Sequence, residues 1–241
     1  FQTPKYSVLT FFALIKKLQT ILLLPFALLY WVATTLRNLF YDIGVFQSTS
    51  FEIPILSVGN LAVGGSGKTP LVEFLIRELK NEYHIAILSR GYGRKTSGFV
   101  WVEANLSPEK TGDEPLQIKI KYNDVAVAVC EDRVVGVQRI LAENPKINLI
   151  ILDDAFQHRA IKPSLQLLLS TYSNPFYLDL LLPAGRLRER ISGAKRADAI
   201  IFTKCSDHYM PLTWESKTIF YSKIVYQNPI IDGHIYGFSG Q

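Results

Sequence analysis

The sequence is poor in the residues that would staple a fold together. Its 241 residues hold only two cysteines, Cys130 and Cys205, far apart and without a C-x-x-C partner. That excludes a disulfide framework and a zinc-type spacing, and the pair reads as reduced thiols in a reducing compartment. Internal repeats and low-complexity tracts are also missing, which excludes a repeat array. There is no aromatic-basic RNA-binding signature. The net charge of +5 is modest: it suits an acidic partner such as anionic lipid or a phosphorylated substrate, and nucleic acid is not expected as a partner.

One stretch lacks charge altogether. From Leu18 to Leu36 (LQTILLLPFALLYWVATTL) no ionisable acid or base occurs, while the flanks Lys5, Lys16, Lys17 and Arg37 are all basic. As a helix the run would reach roughly 28 Å, just short of the ~30 Å hydrocarbon core of a bilayer. Pro25 interrupts it, and Phe26, Tyr30, Trp31, Phe40 and Tyr41 cluster around and beyond it. Aromatic rings favour the headgroup boundary and lysines attract anionic lipid there. The expected role is an interfacial membrane anchor; a single span, a buried core helix and a signal peptide are the other readings. No small-residue cleavage site precedes the next strand-like run, which weighs against the last.

What is present next is a phosphate-binding turn. Residues 53–70, IPILSVGNLAVGGSGKTP, carry a β-rich run (Ile53, Ile55, Val58) into a glycine-rich loop that ends Gly64-Gly65-Ser66-Gly67-Lys68-Thr69. An amphipathic segment, Leu71 to Leu79, follows at helical spacing. A P-loop wraps backbone N–H groups around nucleotide phosphates, reaches the β and γ oxygens with its lysine, and places a Ser/Thr hydroxyl on Mg²⁺. ATP and Mg²⁺ are therefore the expected ligands. One position departs from G-x-x-x-x-G-K-[ST]: Ala62 stands where the first glycine is usual.

Downstream, Ile85–Ser89, Val125–Val129, Ile147–Leu152 and Ala199–Phe202 read as strands separated by helix-length segments, of which 131–143 is one crossover helix. Runs apolar on both faces indicate an α/β fold of the P-loop NTPase type, with a mostly parallel sheet covered by helices on both sides. Ligands of such sheets bind beyond the carboxyl ends of the strands. The expected division is 1–45 as anchor, 46–215 as the nucleotide-binding core, and 216–241 as strands leading into a further lobe. Thr218 to Tyr226 alternates like a strand, and Ile235 to Gly240 begins another.

Polar residues gather where this geometry needs them. Asp153 and Asp154 follow an apolar run, as a Walker-B acid does. Strand side chains alternate between faces, so the two should differ in role unless the strand ends between them. One would hold Mg²⁺ with Thr69 and the other would accept the proton of an attacking hydroxyl. His158, four residues on, suits a substrate contact or a structural hydrogen bond. Asp113 and Glu114 open an expected helix, where capping is the simpler role. Arg90 and Arg94 flank two glycines and suit a phosphate or sugar. Glu189, in LPAGRLRE, could receive a nucleotide hydroxyl or amine.

Taken together, VGNLAVGGSGKTP, RGYGR, GDEP, DDAFQH and LPAGRLRE behind an apolar, basic-flanked helix resemble the tetraacyldisaccharide 4'-kinase (lipid A 4'-kinase) family. A small residue at the Ala62 position is usual in that family. The resemblance implies a membrane-associated kinase that moves the γ-phosphate of ATP to the 4'-hydroxyl of a tetraacylated glucosamine disaccharide 1-phosphate, giving lipid IVA at the cytoplasmic face of the bacterial inner membrane. It implies catalytic roles for Lys68, Asp113, Asp153 and Asp154, with Asp154 as base and Asp153 beside the metal. It also implies an acceptor side made by Asn60, Arg90, Glu114 and His158. Ala155 stands where the family commonly has glycine, and family members continue past the position of Gln241 into a C-terminal lobe, so the chain is expected to lack that part. The alternative is a membrane-recruited P-loop ATPase switch, which generally carries a lysine early in the loop, where Val63 stands. A GTPase would need N-K-x-D, and Thr203-Lys204-Cys205-Ser206-Asp207 does not supply it.

Overall fold

A computed structural model describes residues 5–225, 230–231 and 234–235. A long first helix, α1 (Lys5–Asp42), precedes an α/β core. In chain order the core runs β1 (Ile55–Asn60), α2 (Lys68–Leu79), β2 (Ile85–Ser89), β3 (Val100–Trp101), α3 (Pro108–Thr111), α4 (Asp113–Lys121), β4 (Ala126–Val129), α5 (Arg133–Glu143) and β5 (Leu149–Asp153). It continues with β6 (Leu165–Thr171), β7 (Ala199–Thr203) and β8 (Thr218–Tyr221), and a separate short hairpin, β9 (Ile230–Ile231) with β10 (His234–Ile235).

The eight-stranded sheet has the order β3-β4-β2-β5-β1-β6-β7-β8. Every pairing is parallel except β3 with β4. The expected parallel sheet is thus present, and three of its strands are buried along their whole length: all five residues of β2, β5 and β7 are buried. Alternation sends successive residues to opposite layers. Ile85 and Ile87 pack with Val72 and Ile76 of α2 and with Leu116 and Ile118 of α4. Ala86 and Leu88 pack instead with Val137 and Ile140 of α5. A third cluster, built on Leu61, Phe156, Leu168, Ile200 and Phe202, covers the β6–β7 side.

β1 lies in the middle of the sheet, between β5 and β6. Its end, where the phosphate loop starts, is therefore flanked by the ends of both neighbours. β6 is not among the strands expected from the sequence, because its leucines favour helix as readily as strand; tertiary pairing on both sides makes it a strand. β8 joins the same sheet beside β7, although it lies in the 216–241 segment that was expected to leave the core. Of the strand expected from Ile235 to Gly240, only Ile235 is among the described residues.

α1 is not a core helix. Near its middle, Leu22 is 72% exposed and Leu29 is 68% exposed, whereas the small Ala27 is buried. The inward stripe is Leu23, Ala27, Tyr30, Thr34, Asn38 and Tyr41, at helical spacing, and it turns polar toward the end. The buried-core reading of the apolar run is thereby overturned. By length and composition the segment Ala13–Asp42 could cross a membrane.

Candidate functional site

The site is built where β1 stops. Gly67 caps α2 with φ of 83°, a left-handed backbone that glycine adopts without penalty, and Lys68 begins the helix. A side chain at Gly64 would meet nothing within 4 Å, so the loop's outer curve is open. The loop is held from beneath and from the side. Asn60, 1% exposed, donates from Nδ2 to Ala62 O at 2.6 Å and to Ser66 Oγ at 2.9 Å. Thr203, at the end of β7, donates to Ser66 O at 2.8 Å. The LPAGRLRE segment runs along the edge: Val63 N–H donates to Arg186 O at 2.8 Å, and Arg188 N–H to Leu61 O at 2.7 Å. That segment, uninformative by itself in sequence, is the loop's outer support.

The two acids differ in environment. β5 ends at Asp153, and Asp154 takes a positive φ of 48°, so the strand does end between them. Asp154 accepts from Arg188 Nη1 at 2.9 and 3.0 Å and faces Lys68 Nζ at 3.6 Å. Asp153 is 2% exposed, and its Oδ1 is buried without a hydrogen-bond partner. Burial, then the charges of Asp154 and Glu114, push its carboxyl up to about 6 from the ordinary 3.8. Lys68 and Arg133 oppose that rise. Arg133, whose Nη2 donates to Asp153 O at 3.2 Å, is itself lowered to about 10, chiefly by burial, and stays a cation at neutral pH.

Lys68, Thr69, Asp153, Asp154 and the glycines of the loop are thus gathered at one place, and Glu114 is close enough for its charge to act on Asp153. Asp113 and Glu114 sit exposed in the first turn of α4, whose N-cap is Gly112 with no side-chain cap hydrogen bond. Neither is the N-cap residue itself, and both stand where a carboxylate suits the positive end of the helix dipole. Arg90 is exposed at the end of β2. Its companion Arg94 pairs with Glu131 at 2.5 Å.

Three expected contacts fall elsewhere. Asn60, expected on the acceptor side, is buried as a brace of the phosphate loop. Glu189, expected at the nucleotide, is 3% exposed and accepts from Asn38 Nδ2 at 2.8 Å, Gln157 Nε2 at 3.1 Å and Arg196 Nη2 at 2.8 Å. His158 points to the start of α5, where its Nε2 accepts the Arg133 N–H at 3.3 Å.

The His158 environment makes a prediction. Burial and the nearby Arg133 lower it to about 4 from 6.5. The folded state then binds fewer protons than the unfolded one, so its contribution to stability is lost as pH falls from 6.5 toward 4. Asp153 works in the opposite sense, its raised value weakening the fold as pH rises from 3.8 through about 6. Wild type should therefore show partial cancellation. His158→Gln, which keeps an acceptor, should gain in melting temperature relative to wild type on acidification from pH 6.5 to 4.5. Parallel melting profiles for the two proteins over that range would contradict this.

Two cavities are of a size that could hold a small molecule. One of about 370 Å³ opens beside the phosphate loop and is lined by Asn60, Gly64, Gly65, Ser170, Arg186 and Lys204. A larger one of about 450 Å³ is lined by Ser57, His158, Arg159, Lys162, Gln166 and Arg196, away from Lys68. Position favours the smaller, since it shares its wall with the loop glycines. Arg188, Arg186, Lys204 and Gln157 are site residues that sequence reasoning did not single out. For the two arginines the basic, glycine-kinked character of LPAGRLRE was the only local signal, and it does not say which of them turns toward Asp154, while Gln157 lies within DDAFQH and Lys204 just past an expected strand end.

Comparison with known proteins identifies the family. Residues 19–229 match the sequence model of the family described as LpxK, tetraacyldisaccharide-1-P 4'-kinase. The tetraacyldisaccharide 4'-kinase of Flavobacterium johnsoniae is 49% identical over 184 residues, covering 76% of this chain and 54% of that protein. The one from Bacteroides fragilis strain YCH46 is 45% identical over 216 residues, covering 89% of this chain and 57% of that protein. The crystal structure described as an "apo" form of LpxK from Aquifex aeolicus in complex with ATP superposes with a TM-score of 0.77 at 39% identity. The match covers 84% of this chain and 64% of that one. The chain spans about half the length of the curated relatives it matches. The matched residues 19–229 include the phosphate loop and the acidic pair, and the chain belongs to the tetraacyldisaccharide-1-P 4'-kinase family.

Proposed function

We propose that this chain carries the nucleotide-binding half of a kinase that transfers the γ-phosphate of ATP to the 4'-hydroxyl of a tetraacyldisaccharide 1-phosphate, yielding lipid IVA. The observation that carries the reading is the pairing of an open phosphate loop with Lys68, Asp153 and Asp154 at the foot of an exposed apolar helix. The backbone N–H groups of 64–69 and the Lys68 ammonium would hold the phosphates. The acceptor oxygen would bond to the γ-phosphorus as the bond to the β–γ bridging oxygen breaks, with ADP leaving. The hydroxyl proton would pass to the Asp154 carboxylate. Asp113 and Glu114 would orient the acceptor from the start of α4, with Arg90 facing its anionic parts.

The residues present fit Mg²⁺. Asp153 offers a buried carboxylate oxygen with no partner, and Thr69 offers a hydroxyl in the first helical turn. Among the described residues no cluster of three or more His, Cys, Asp or Glu side chains could cage a metal alone. Mg²⁺ commonly binds one or two carboxylates and completes its shell with phosphate and water. Held by Asp153 and Thr69, Mg²⁺ would offset negative charge on the phosphates.

The acceptor explains α1. A lipid with several acyl chains cannot leave a bilayer easily, at ~0.8 kcal/mol per buried CH₂. The enzyme must work at the surface, and we infer that residues 1–45 anchor it, peripheral or monotopic, on the cytoplasmic face of the inner membrane. Residues 46–215 would form the kinase core, β8 would add one more strand to its sheet, and the rest of 216–241 would lead onward from it. Deleting the residues before Ile43 should reduce co-sedimentation with anionic lipid vesicles several-fold, and unchanged sedimentation would remove the anchor. The function itself is tested by incubating the chain, and a form extended to the length of its relatives, with ATP and the lipid disaccharide. Mass spectrometry should find one added phosphate on the lipid. ATP hydrolysis that is the same with and without lipid would reject the kinase reading.

A further inference from the structure

The end of α1 and the phosphate lysine are joined by one unbroken run of polar contacts. Asn38 Nδ2 donates to Glu189 Oε2 at 2.8 Å. A carboxylate can only accept, so the amide must present its NH₂ here. Glu189 Oε1 takes Gln157 Nε2 at 3.1 Å, and the same Nε2 donates to Asn60 O at 2.9 Å, where β1 gives way to the phosphate loop. Gln157 Oε1 lies 3.4 Å from Arg188 Nη1, which holds both oxygens of Asp154. Asp154 in turn faces Lys68. Two further contacts bind α1 to the same residues: Tyr30 Oη donates to Arg188 O at 2.7 Å, and Arg37 Nη2 donates to Gln157 O at 2.8 Å. Tyr30, Arg37 and Asn38 lie on one side of α1, so the helix touches Gln157, Arg188 and Glu189 together.

The physical consequence is that α1 cannot shift without disturbing the partners of Asp154. Glu189 is almost wholly buried, and a buried carboxylate must keep its donors. If Asn38 withdraws, Glu189 must draw more on Gln157 and Arg196, and Gln157 is what connects Glu189 to Arg188 and to the start of the phosphate loop. We propose that Asn38 is a positioning residue for Lys68 and Asp154, acting through Glu189, Gln157 and Arg188, so that seating of the membrane helix and binding of nucleotide phosphates are coupled. The ligand in this coupling rests on the reading of the loop as an ATP site. Coupling is reciprocal: whatever seats α1 tightens nucleotide, and nucleotide steadies α1.

The test uses two readouts on the full chain, the Kd for ATP with Mg²⁺ and the acylation rate of the Lys68 amine in nucleotide-free protein, followed by peptide mass spectrometry. Asn38→Ala should weaken ATP about fivefold or more and raise the Lys68 acylation rate about threefold. Asn38→Asp, nearly the same shape, should do worse than alanine, because two carboxylates would then face each other; a role in packing alone predicts the reverse order. In a Glu189→Gln background, Asn38→Ala should add little, since contacts along one network are not additive. Thr34→Ala, whose hydroxyl bonds only Tyr30 O and Trp31 O within α1, should leave both readouts at wild-type values. Values within twofold of wild type for both Asn38 variants would overturn the coupling. If wild type bound no ATP yet Lys68 acylation followed this order, the positioning of Lys68 by Asn38 would stand and the nucleotide reading would fall.

Discussion

Lys68→Ala is expected to lower phosphoryl transfer by about 10²-fold or more, with little change in thermal stability. The ammonium sits in the first residue of α2, its side chain 14% exposed, and faces Asp154 across 3.6 Å. With phosphates present it is the cation that can move from a protein carboxylate to a γ oxygen. Removing it strips charge stabilisation from the transition state and leaves the Asp153–Asp154 pair without one of the cations that oppose its repulsion. A 10²-fold loss corresponds to about 2.7 kcal/mol of transition-state stabilisation, within the range for one preorganised electrostatic partner. Lys68→Arg should not restore the rate, because a planar fork does not replace a compact ammonium. The measurement is single-turnover transfer to the lipid acceptor at saturating ATP, and a loss below tenfold would remove Lys68 from the chemistry.

Replacing Asp154 should be comparably severe but with a different kinetic pattern. Asp154→Asn is the cleaner substitution, because asparagine tolerates the left-handed backbone seen at φ 48° whereas alanine does not. Turnover should fall about 10²-fold as the proton acceptor is lost. The KM for ATP should stay level or decrease, since Lys68 and Arg188 would no longer be shared with a carboxylate. Lys68→Ala, by contrast, should raise KM and lower kcat together. If Asp154→Asn retained near wild-type turnover, the base would have to be the buried Asp153, whose carboxyl is already pushed up to about 6 by burial and by the Asp154 and Glu114 charges.

Much of the site could be read from local chemistry. The phosphate loop is contiguous, and its glycines, lysine and threonine carry their roles within a few residues. The acidic pair was legible because it follows a run that must be buried. Other assignments depended on partners far away in the chain. Asn60 reads as a polar residue beside a loop, and only folding turns its amide inward onto Ala62 and Ser66. Glu189 reads as an available acceptor until α1, 151 positions earlier, brings Asn38 to it. Arg186 and Arg188 are indistinguishable in sequence, yet one pairs with Asp179 and the other with Asp154.

By itself the sequence determined the class of this protein: a parallel α/β sheet, a phosphate-binding turn at its centre, and an apolar helix ahead of it. Those features follow from apolar periodicity and turn stereochemistry, which act over a few residues. Tertiary structure decided that α1 lies outside the core with its apolar face exposed, and that its polar end is fastened to the residues surrounding Asp154. It also decided that Leu165–Thr171 is a strand and that β8 completes the sheet. The reason is that buried charges and strand edges choose partners by what three-dimensional packing brings within hydrogen-bond reach, and that neighbourhood is not written in any short segment of the chain.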